Sequence, residues 1–152
     1  MVPAISLHQV WATAFARGLK RNETRGDIPI FRNRYRGPIA IHAAKKPFRP
    51  GDYADEFICF CVKHGLLENL IYGAVLCIAD LIDKKKTEEF DAAQLSYSER
   101  MLGNYGPKRL VLITENLRVL PEPHYCRGSQ GWFGWTVPQQ YEYLIKGEFK
   151  LR

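Results

Sequence analysis

Short apolar runs, separated by glycine, proline and charged residues, divide the chain into strands and helices. Alternation with a period of two predicts strands, and apolar residues three and four apart predict helices. The predicted strands are Ala4–Leu7, Arg21–Arg25, Ile39–Ala43, Tyr72–Ile82, Arg109–Leu120 and Gly131–Val137. The predicted helices are Leu7–Gly18, Tyr53–Gly65 and Pro138–Ile145. Ser6 followed by Gln9 has the spacing of a capping box, which predicts the start of the first helix.

Two of the predicted strands differ from the others in being almost continuously apolar. Tyr72–Ile82 and Arg109–Leu120 are rich in valine, isoleucine and leucine. Such runs are typical of central strands that are covered on both faces. The segment between them, Asp83–Arg100, is strongly charged, and we expect it to form surface helix or loop.

The number and order of these elements predict the fold class. Five or six short strands with two or three interspersed helices, and no regular strand–helix–strand alternation, favour an α+β fold. We expect a small mixed β-barrel with two to three helices packed around it; a doubly wound parallel sheet is the alternative. With 152 residues, of which 46% are hydrophobic, the chain has the length and the apolar content of one domain with one core. Residues 1–152 are therefore assigned to a single domain.

The chain carries no pattern of a secretion signal or of a membrane span. Met1–Leu7 lacks a basic stretch followed by a long apolar one, and apolar runs such as Gly73–Ala79 are far too short to cross a bilayer. We therefore expect a soluble protein in the cytoplasm, without membrane partners.

The cysteines and the glycine-rich segments predict neither a metal site nor a cofactor. The four cysteines include no CxxC pair, and isolated cysteines in apolar segments are typical of small buried residues in a reducing compartment. They are Cys59, Cys61, Cys77 and Cys126. A P-loop and a dinucleotide-binding fingerprint are also absent from the sequence.

Positive charge is concentrated in one third of the chain. The net charge is +6, yet the segment from Arg17 to Arg49 holds ten lysines and arginines against two acidic residues, which gives +8 there and −2 elsewhere. A cationic region of this kind attracts polyanions and releases their condensed counterions. The alternative is a solvated basic face that serves solubility.

A lysine, a glutamate and an arginine follow each other closely within this basic segment. Lys20 lies at a predicted helix-to-strand turn, and Glu23 and Arg25 share one face of the strand. A carboxylate between two cations stays ionised and keeps a defined position. It can accept a hydrogen bond from the amino group of a base or act as a general base, so Lys20 and Glu23 are the catalytic candidates if the protein is an enzyme. The alternative is an exposed, charged strand surface.

The stretch that follows contains candidates for phosphate and base binding. Arginines on either side of a tyrosine can hold phosphate oxygens while the ring stacks on a base, a contact worth roughly 1–3 kcal/mol. The candidates are Arg34, Tyr35, Arg36, His42, Lys45 and Lys46. A histidine in this position is either a proton carrier or a hydrogen-bonded core residue.

Two glycine-rich turns complete the list of ligand-binding candidates. Gly103–Pro107 is a tight turn that would expose Tyr105. Arg127–Trp135 interleaves glycines with aromatic residues, so that Gln130 could read a base edge and Trp132 could stack on the base. The alternatives are a plain turn for the first segment and a tryptophan that closes the core for the second.

Taken in order, several of these segments resemble the ASCH domain family. They are Ile5–Ala12, Gly18–Lys20, Glu23–Arg25, Tyr35–Ala43 and Gly128–Trp132, and they include the spacing G-x-K-x-x-E-x-R. The resemblance extends from Ile5 to Val137. It implies a barrel similar to the PUA fold, a cleft framed by helices, and an association with RNA or modified nucleotides.

Carried over by position, the resemblance implies which residues form the cleft. Lys20, Glu23 and Arg25 would line it, with the helix of Trp11 beside them and Gln130–Trp132 opposite. The leading hypothesis is therefore an RNA- or nucleotide-binding domain whose basic cleft reads a base. In it Arg34, Arg36, Lys45 and Lys46 hold phosphate, Glu23 and Gln130 contact the base, and Trp11, Tyr35 or Trp132 stacks on it.

The alternative to pure binding is an enzyme that uses the same cleft. Some relatives of this kind hydrolyse N4-acetylcytidine with a lysine and a threonine three residues later. Here Lys20 is followed at that position by Glu23, and in a strand Thr24 would face the other way. Other relatives are described as ribonucleases, for which the acid–base candidates are Lys20, Glu23, Tyr35, His42 and Tyr105. A third hypothesis is a protein-interaction domain with an incidental basic face.

Overall fold

One six-stranded sheet organises residues 1–145, which are the residues described by the structure, a computed structural model. Its strands are β1 (Val2–Leu7), β2 (Asn22–Gly26), β3 (Gly37–Ala43), β4 (Ala74–Lys86), β5 (Arg109–Tyr125) and β6 (Phe133–Trp135). Their order across the sheet is β2-β5-β4-β3-β1-β6. Because β1 and β3 run parallel while the other neighbours are antiparallel, the sheet is mixed.

The helices within the described residues are few and short. They are α1 (Trp11–Ala16), α2 (Asp55–Lys63) and α3 (Tyr97–Met101). Single turns of 3₁₀-helix occur at Pro29–Phe31, Pro50–Asp52, Thr87–Glu89 and Ala92–Gln94, and a longer one at Gln139–Leu144 replaces the predicted last helix. The predicted α+β class is therefore confirmed. None of the helices in the described part of the chain has the length and apolar character needed to cross a bilayer.

The start of α1 differs from the predicted capping box. Ser6 lies inside β1, and its hydroxyl contacts His42 rather than the helix. The Gln9 side chain accepts a hydrogen bond from the backbone N–H of Thr13 and donates one to the carbonyl of Ile71. The capping-box prediction was wrong because β1 continues through Ser6 and the helix begins only at Trp11.

A glycine ends α1 and turns the chain towards β2. Gly18 adopts φ 74°, a left-handed conformation that glycine reaches without steric cost. Its N–H bonds the carbonyl of Phe15, and the N–H of Leu19 bonds that of Ala14, which together form a Schellman motif. This turn directs the following residue, Lys20, into the interior, where it is 2% exposed.

Strands β4 and β5 are longer than predicted. The predicted surface segment begins at Asp83, yet Asp83–Lys86 continues β4 and pairs with Leu110–Ile113 of β5. That part of the prediction was wrong because the pairing extends beyond the buried run, into residues whose charged side chains reach solvent. The earlier part, Ala74–Leu81, is buried as expected of a central strand.

The apolar core occupies both faces of the sheet. The larger cluster joins Ile5, Phe15 and Ile41 with residues of β4 and β5, and the second gathers around Ile78 and Trp135. Within the described residues no pairing joins the two edge strands, β2 and β6, so the sheet is open. The closed barrel stays a prediction.

The cysteines divide by burial. Cys61 and Cys77 are buried, and burial raises the pKa of the Cys61 thiol to about 11. Cys126 is half-buried, and Cys59 is exposed. The prediction of a buried thiol was wrong for Cys59 because residues two apart on a helix point to different sides, and Cys61 takes the inner side of α2.

Candidate functional site

The segment that follows the Gly18 turn forms the floor of an open cavity of about 490 Å³. We call it the Glu23 cavity, because Glu23 lies between Lys20 and Arg25 in its floor. Aromatic side chains of Trp11, Tyr53 and Phe57 provide an apolar side. Leu102–Asn104, after α3, also line the cavity. The cavity thus combines a charged floor with an aromatic wall.

The charged floor is a compact ion triad. The Lys20 ammonium donates to Glu23 Oε1 at 2.8 Å, and the Arg25 Nε–H donates to Oε2 at 2.8 Å. Burial alone would raise the pKa of Glu23, but the two adjacent cations outweigh it, so that the pKa lies below its usual range. Glu23 therefore remains a carboxylate at neutral pH although it is only 9% exposed.

The triad keeps hydrogen-bonding capacity that its internal contacts do not use. Lys20 donates one further bond, to the carbonyl of Leu102 at 3.1 Å, and its third N–H has no partner among residues 1–145. Each carboxylate oxygen of Glu23 accepts one bond from a cation and has a second lone pair. The lining of the cavity therefore contains a donor and acceptor positions without a partner among the described residues, although the Lys20 side chain is only 1% exposed and that of Glu23 11%.

The aromatic wall is held together by its own ring contacts. Trp11 stacks on Phe57 with centroids 5.3 Å apart, and Tyr53 stacks on Phe48 at 4.9 Å. Trp11 also packs against Tyr53 in a tilted contact. The wall is thus fixed before any ligand arrives, which lowers the ordering cost of binding.

A second cavity, of about 820 Å³, adjoins the first. We call it the His42 cavity; Lys45, Arg127 and Gln130 also line it. The two cavities share three residues, Ser6, His8 and Arg25. Partial burial, followed by the charges of Lys46 and Arg25, lowers the pKa of His8.

His42 and Ser6 form a hydrogen-bonded pair in that shared region. They face each other across the parallel strands β1 and β3, with Ser6 Oγ 2.8 Å from His42 Nδ1. His42 Nε2 lies 2.9 Å from the carbonyl oxygen of Cys126, which can only accept, so Nε2 carries the proton and Nδ1 accepts from Ser6. Burial lowers the pKa of His42, which keeps the ring neutral at pH 7.

A third cavity, of about 320 Å³, holds the two predicted arginines Arg34 and Arg36. We call it the arginine cavity; Lys84 and Lys86 of β4 line it as well. Burial, followed by the charge of Arg36, lowers the pKa of Lys84 to about 8. Phe31 belongs to this cavity and to the His42 cavity.

The structure therefore brings together only part of the predicted set. Trp11, Lys20, Glu23 and Arg25 share the Glu23 cavity, and His42, Lys45 and Gln130 line the adjoining one. Arg34 and Arg36 belong to the arginine cavity. Four predicted residues line none of the three: Tyr35, Lys46, Tyr105 and Trp132.

Three of these four have structural contacts. The Tyr35 hydroxyl donates to the carbonyl of Pro38 at 2.7 Å, and Trp132 packs edge-on against Phe31 with centroids 6.2 Å apart. Tyr105 contacts the Phe90 ring, and burial raises its pKa to about 12. Lys46 is exposed.

Sequence reasoning missed several residues that line the two adjoining cavities. Ser6 was interpreted as a helix cap, although its place opposite His42 follows from the parallel pairing of β1 with β3. Thr24 lines the Glu23 cavity, which strand alternation did not predict; its hydroxyl accepts a hydrogen bond from the N–H of Asn104. Arg109, in the same cavity, donates to the carbonyl of Asn104.

The described side chains do not form a metal site, and comparisons with known proteins do not identify a family. Over residues 1–145 no cluster of three histidine, cysteine, aspartate or glutamate side chains is arranged to hold a metal ion. No protein-family model matches the chain, and no curated protein is significantly similar to it. The resemblance to the ASCH family stays a prediction.

Proposed function

We propose that this chain is an ASCH-like domain that binds RNA or a nucleotide, with a base in the Glu23 cavity. The observation that carries the proposal is the ionised Glu23 carboxylate, held between Lys20 and Arg25 in an open cavity with an aromatic wall. A purely structural ion triad would need no adjoining space for a ligand. The open cavity beside the triad favours a binding role.

The chemistry of the floor matches a nucleobase edge. Glu23 accepts from an exocyclic amino group, as acidic side chains do from cytosine, while Lys20 donates to a neighbouring ring nitrogen or carbonyl oxygen. The wall formed by Trp11, Tyr53 and Phe57 offers an apolar surface to the base. Stacking on an aromatic side chain contributes roughly 1–3 kcal/mol per base.

The phosphate of the same nucleotide belongs in the adjoining His42 cavity. Lys45 and Arg127 line that cavity, and Arg25 borders both. Gln130, which lines the same cavity, supplies an amide for the sugar or the base edge. In this proposal the phosphate of the bound nucleotide contacts Lys45, Arg127 and Arg25, and not Arg34 and Arg36 as the sequence predicted.

The proposal includes a PUA-like barrel for the fold. Among residues 1–145 the two edge strands do not pair with each other, but the Arg25 Nη2–H donates to the carbonyl of Ser6 at 2.7 Å. That bond links the edge strand β2 to β1, which is four positions away in the sheet order, so the sheet must curve strongly. A strongly curved sheet with side-chain closure is what a partly open barrel requires.

Replacing Glu23 tests the binding proposal. In Glu23→Gln the side chain keeps its size but loses the charge, so we expect affinity for the best-binding ribonucleoside 5′-monophosphate to fall by about tenfold or more, the value of one charge-assisted hydrogen bond. Calorimetric titration at fixed salt measures the change. Glu122→Gln removes the same charge from an exposed side chain and should stay within about twofold.

Equal affinity of the wild type and Glu23→Gln would contradict the proposed role of the carboxylate. A wild-type protein that binds no nucleotide, RNA or DNA would instead favour the protein-interaction hypothesis. Affinity that does not weaken as salt is raised would contradict phosphate binding, because counterion release makes such binding salt-dependent.

A second candidate function, catalysis in the same region, is supported by the Ser6–His42 pair. A neutral histidine that accepts from a serine hydroxyl, and is itself oriented through its other nitrogen, is the arrangement that activates a nucleophile or removes a proton. Lys20 and Glu23, bound to each other, would position the substrate.

Turnover distinguishes this candidate from pure binding. N4-acetylcytidine and a short RNA serve as substrates, and an enzyme should lose about 10²–10⁴-fold in kcat in His42→Asn while KM changes little. Ser6→Ala tests whether Ser6 is the nucleophile. It should abolish turnover if Ser6 is the nucleophile and leave turnover nearly unchanged if Ser6 takes no part in the reaction. A wild type without product over long incubation would contradict catalysis and leave the binding proposal intact.

A further inference from the structure

The arginine cavity is a strongly cationic site that a single bound nucleotide would not use. Its charged lining consists of Arg32, Arg34, Arg36, Lys84 and Lys86 against one acid, Glu89. Arg32 is engaged with Asp27 at 2.6 Å, and Arg36 lies 3.8 Å from Asp83. Within the described chain no salt bridge involves Arg34 or Lys86, and Lys86 interacts at longer range with Asp27 and Glu88, so that cations still outnumber acids in the lining.

The three cavities adjoin one another through shared lining residues, and we call this series of cavities the path. The Glu23 and His42 cavities share Ser6, His8 and Arg25, and the His42 and arginine cavities meet at Phe31. Pockets of roughly 300–1,000 Å³ each hold one small ligand. A base and its phosphate occupy the first two, so the third offers a place for the phosphates of neighbouring nucleotides.

We propose that the ligand is a single-stranded oligonucleotide, with one unpaired base in the Glu23 cavity and its neighbouring phosphates in the arginine cavity. This inference rests on the proposed function. The base must be unpaired because Glu23, its contact, is only 9% exposed at the floor of a cavity and cannot reach a base inside a duplex.

The electrostatics of the arginine cavity favour the same ligand. Lys84 Nζ donates to the carbonyl and the side-chain oxygen of Asn33 and lies near Arg36, so two cations share a partly buried space. A phosphate placed between them would relieve their repulsion. Single-stranded nucleic acids are commonly held by a basic groove of this kind beside a base-stacking surface.

A double substitution tests the path without touching the base site. Arg34→Gln with Lys86→Gln removes two exposed cations of the arginine cavity, and Lys63→Gln with Arg100→Gln removes two exposed cations outside all three cavities. The probes are a mixed-sequence single-stranded hexaribonucleotide, the ribonucleoside 5′-monophosphates and a hexaglutamate peptide. Fluorescence titration over a range of salt concentrations gives affinity and salt slope.

The wild type should bind the hexanucleotide at least about tenfold more tightly than the monophosphates. The Arg34→Gln, Lys86→Gln variant should lose this difference in affinity, while it binds the monophosphates as tightly as the wild type does. Its salt slope for the hexamer should fall by about 1.4, or about 0.7 per lost phosphate contact. The control variant, Lys63→Gln with Arg100→Gln, should keep the salt dependence of the wild type. Its salt slope should therefore be steeper, by at least about 1, than that of the Arg34→Gln, Lys86→Gln variant.

Three results would overturn the inference. The first is a hexanucleotide that binds no more tightly than a monophosphate, and the second is an equal loss of hexanucleotide affinity in both double variants. The third is hexaglutamate binding as tight as hexanucleotide binding, which would make the cavity a general polyanion site. If Glu23→Gln leaves monophosphate binding unchanged while the first double variant weakens the hexamer, the base-site proposal fails and the cationic path stands. No binding of either nucleotide probe overturns both.

Discussion

Replacing Lys20 by methionine is expected to lower the free energy of unfolding by about 3–5 kcal/mol, the cost of removing one partner from a buried ion pair. Lys20 is 2% exposed, and its ammonium bonds both Glu23 and the carbonyl of Leu102. Methionine fills the space but supplies no donor. The Glu23 carboxylate would remain buried with Arg25 as its one cation, and the carbonyl of Leu102 would lose its side-chain donor.

Urea unfolding of Lys20→Met, with the double variant Lys20→Met/Glu23→Gln beside it, checks this expectation. The double variant should be less destabilised than the single one, because it also removes the uncompensated charge. Lys63→Met, on the exposed side of α2, should stay within about 0.5 kcal/mol of the wild type. A loss below about 1 kcal/mol in Lys20→Met would mean that water reaches the triad and that the floor is not a buried ion site.

Local patterns predicted most of the strands and helices, because alternation and continuous apolar runs indicate strands whereas apolar residues three and four apart indicate helices. It failed at Asp83–Lys86, where charged side chains indicated surface and the chain continues as β4. That segment is a strand because β5 presents Leu110–Ile113 as pairing partners. The pairing is a tertiary contact that no single segment can predict, and it overrides local propensity.

The floor of the site could be predicted because its members are close in the chain. Lys20, Glu23 and Arg25 fall within six residues, and strand alternation places the last two on one face. Arg34 and Arg36 are also close to them in sequence, yet they line another cavity, beyond Phe31. Proximity in the chain therefore predicts which residues share a cavity only where all of them lie on one short element.

The Ser6–His42 pair shows what long-range register adds. Its members are 36 positions apart and meet because β1 and β3 pair in parallel with Ser6 opposite His42. Gly128, from the loop before β6, approaches the same pair. Three separate segments thus form this part of the wall, and the sequence pattern of none of them predicts the others.

Gly128 is where this wall is most sensitive to substitution, and Gly128→Ala should destabilise the protein by about 3 kcal/mol, the upper end of the range for overpacking. A methyl group there would lie 2.5 Å from His42 Cε1 and 2.6 Å from Ser6 Oγ. Both neighbours are fixed by their mutual bond and by the carbonyl of Cys126, so neither can move without breaking a hydrogen bond. The cost arises from lack of space, since the φ of Gly128 is not in the left-handed region.

Two measurements separate this steric effect from a general cost of losing glycine. They are the thermal unfolding of Gly128→Ala and Gly51→Ala, and the NMR signals of the His42 ring. Nothing lies within 4 Å of an added methyl group at Gly51, so that variant should be neutral or more stable by up to about 1 kcal/mol, because alanine restricts the unfolded chain. Equal stability of the two variants, with unchanged His42 signals in Gly128→Ala, would show that the loop simply moves away. Displaced His42 signals and weaker nucleotide binding in Gly128→Ala would show instead that the loop, His42 and the ligand compete for one space, as a shared cavity wall requires.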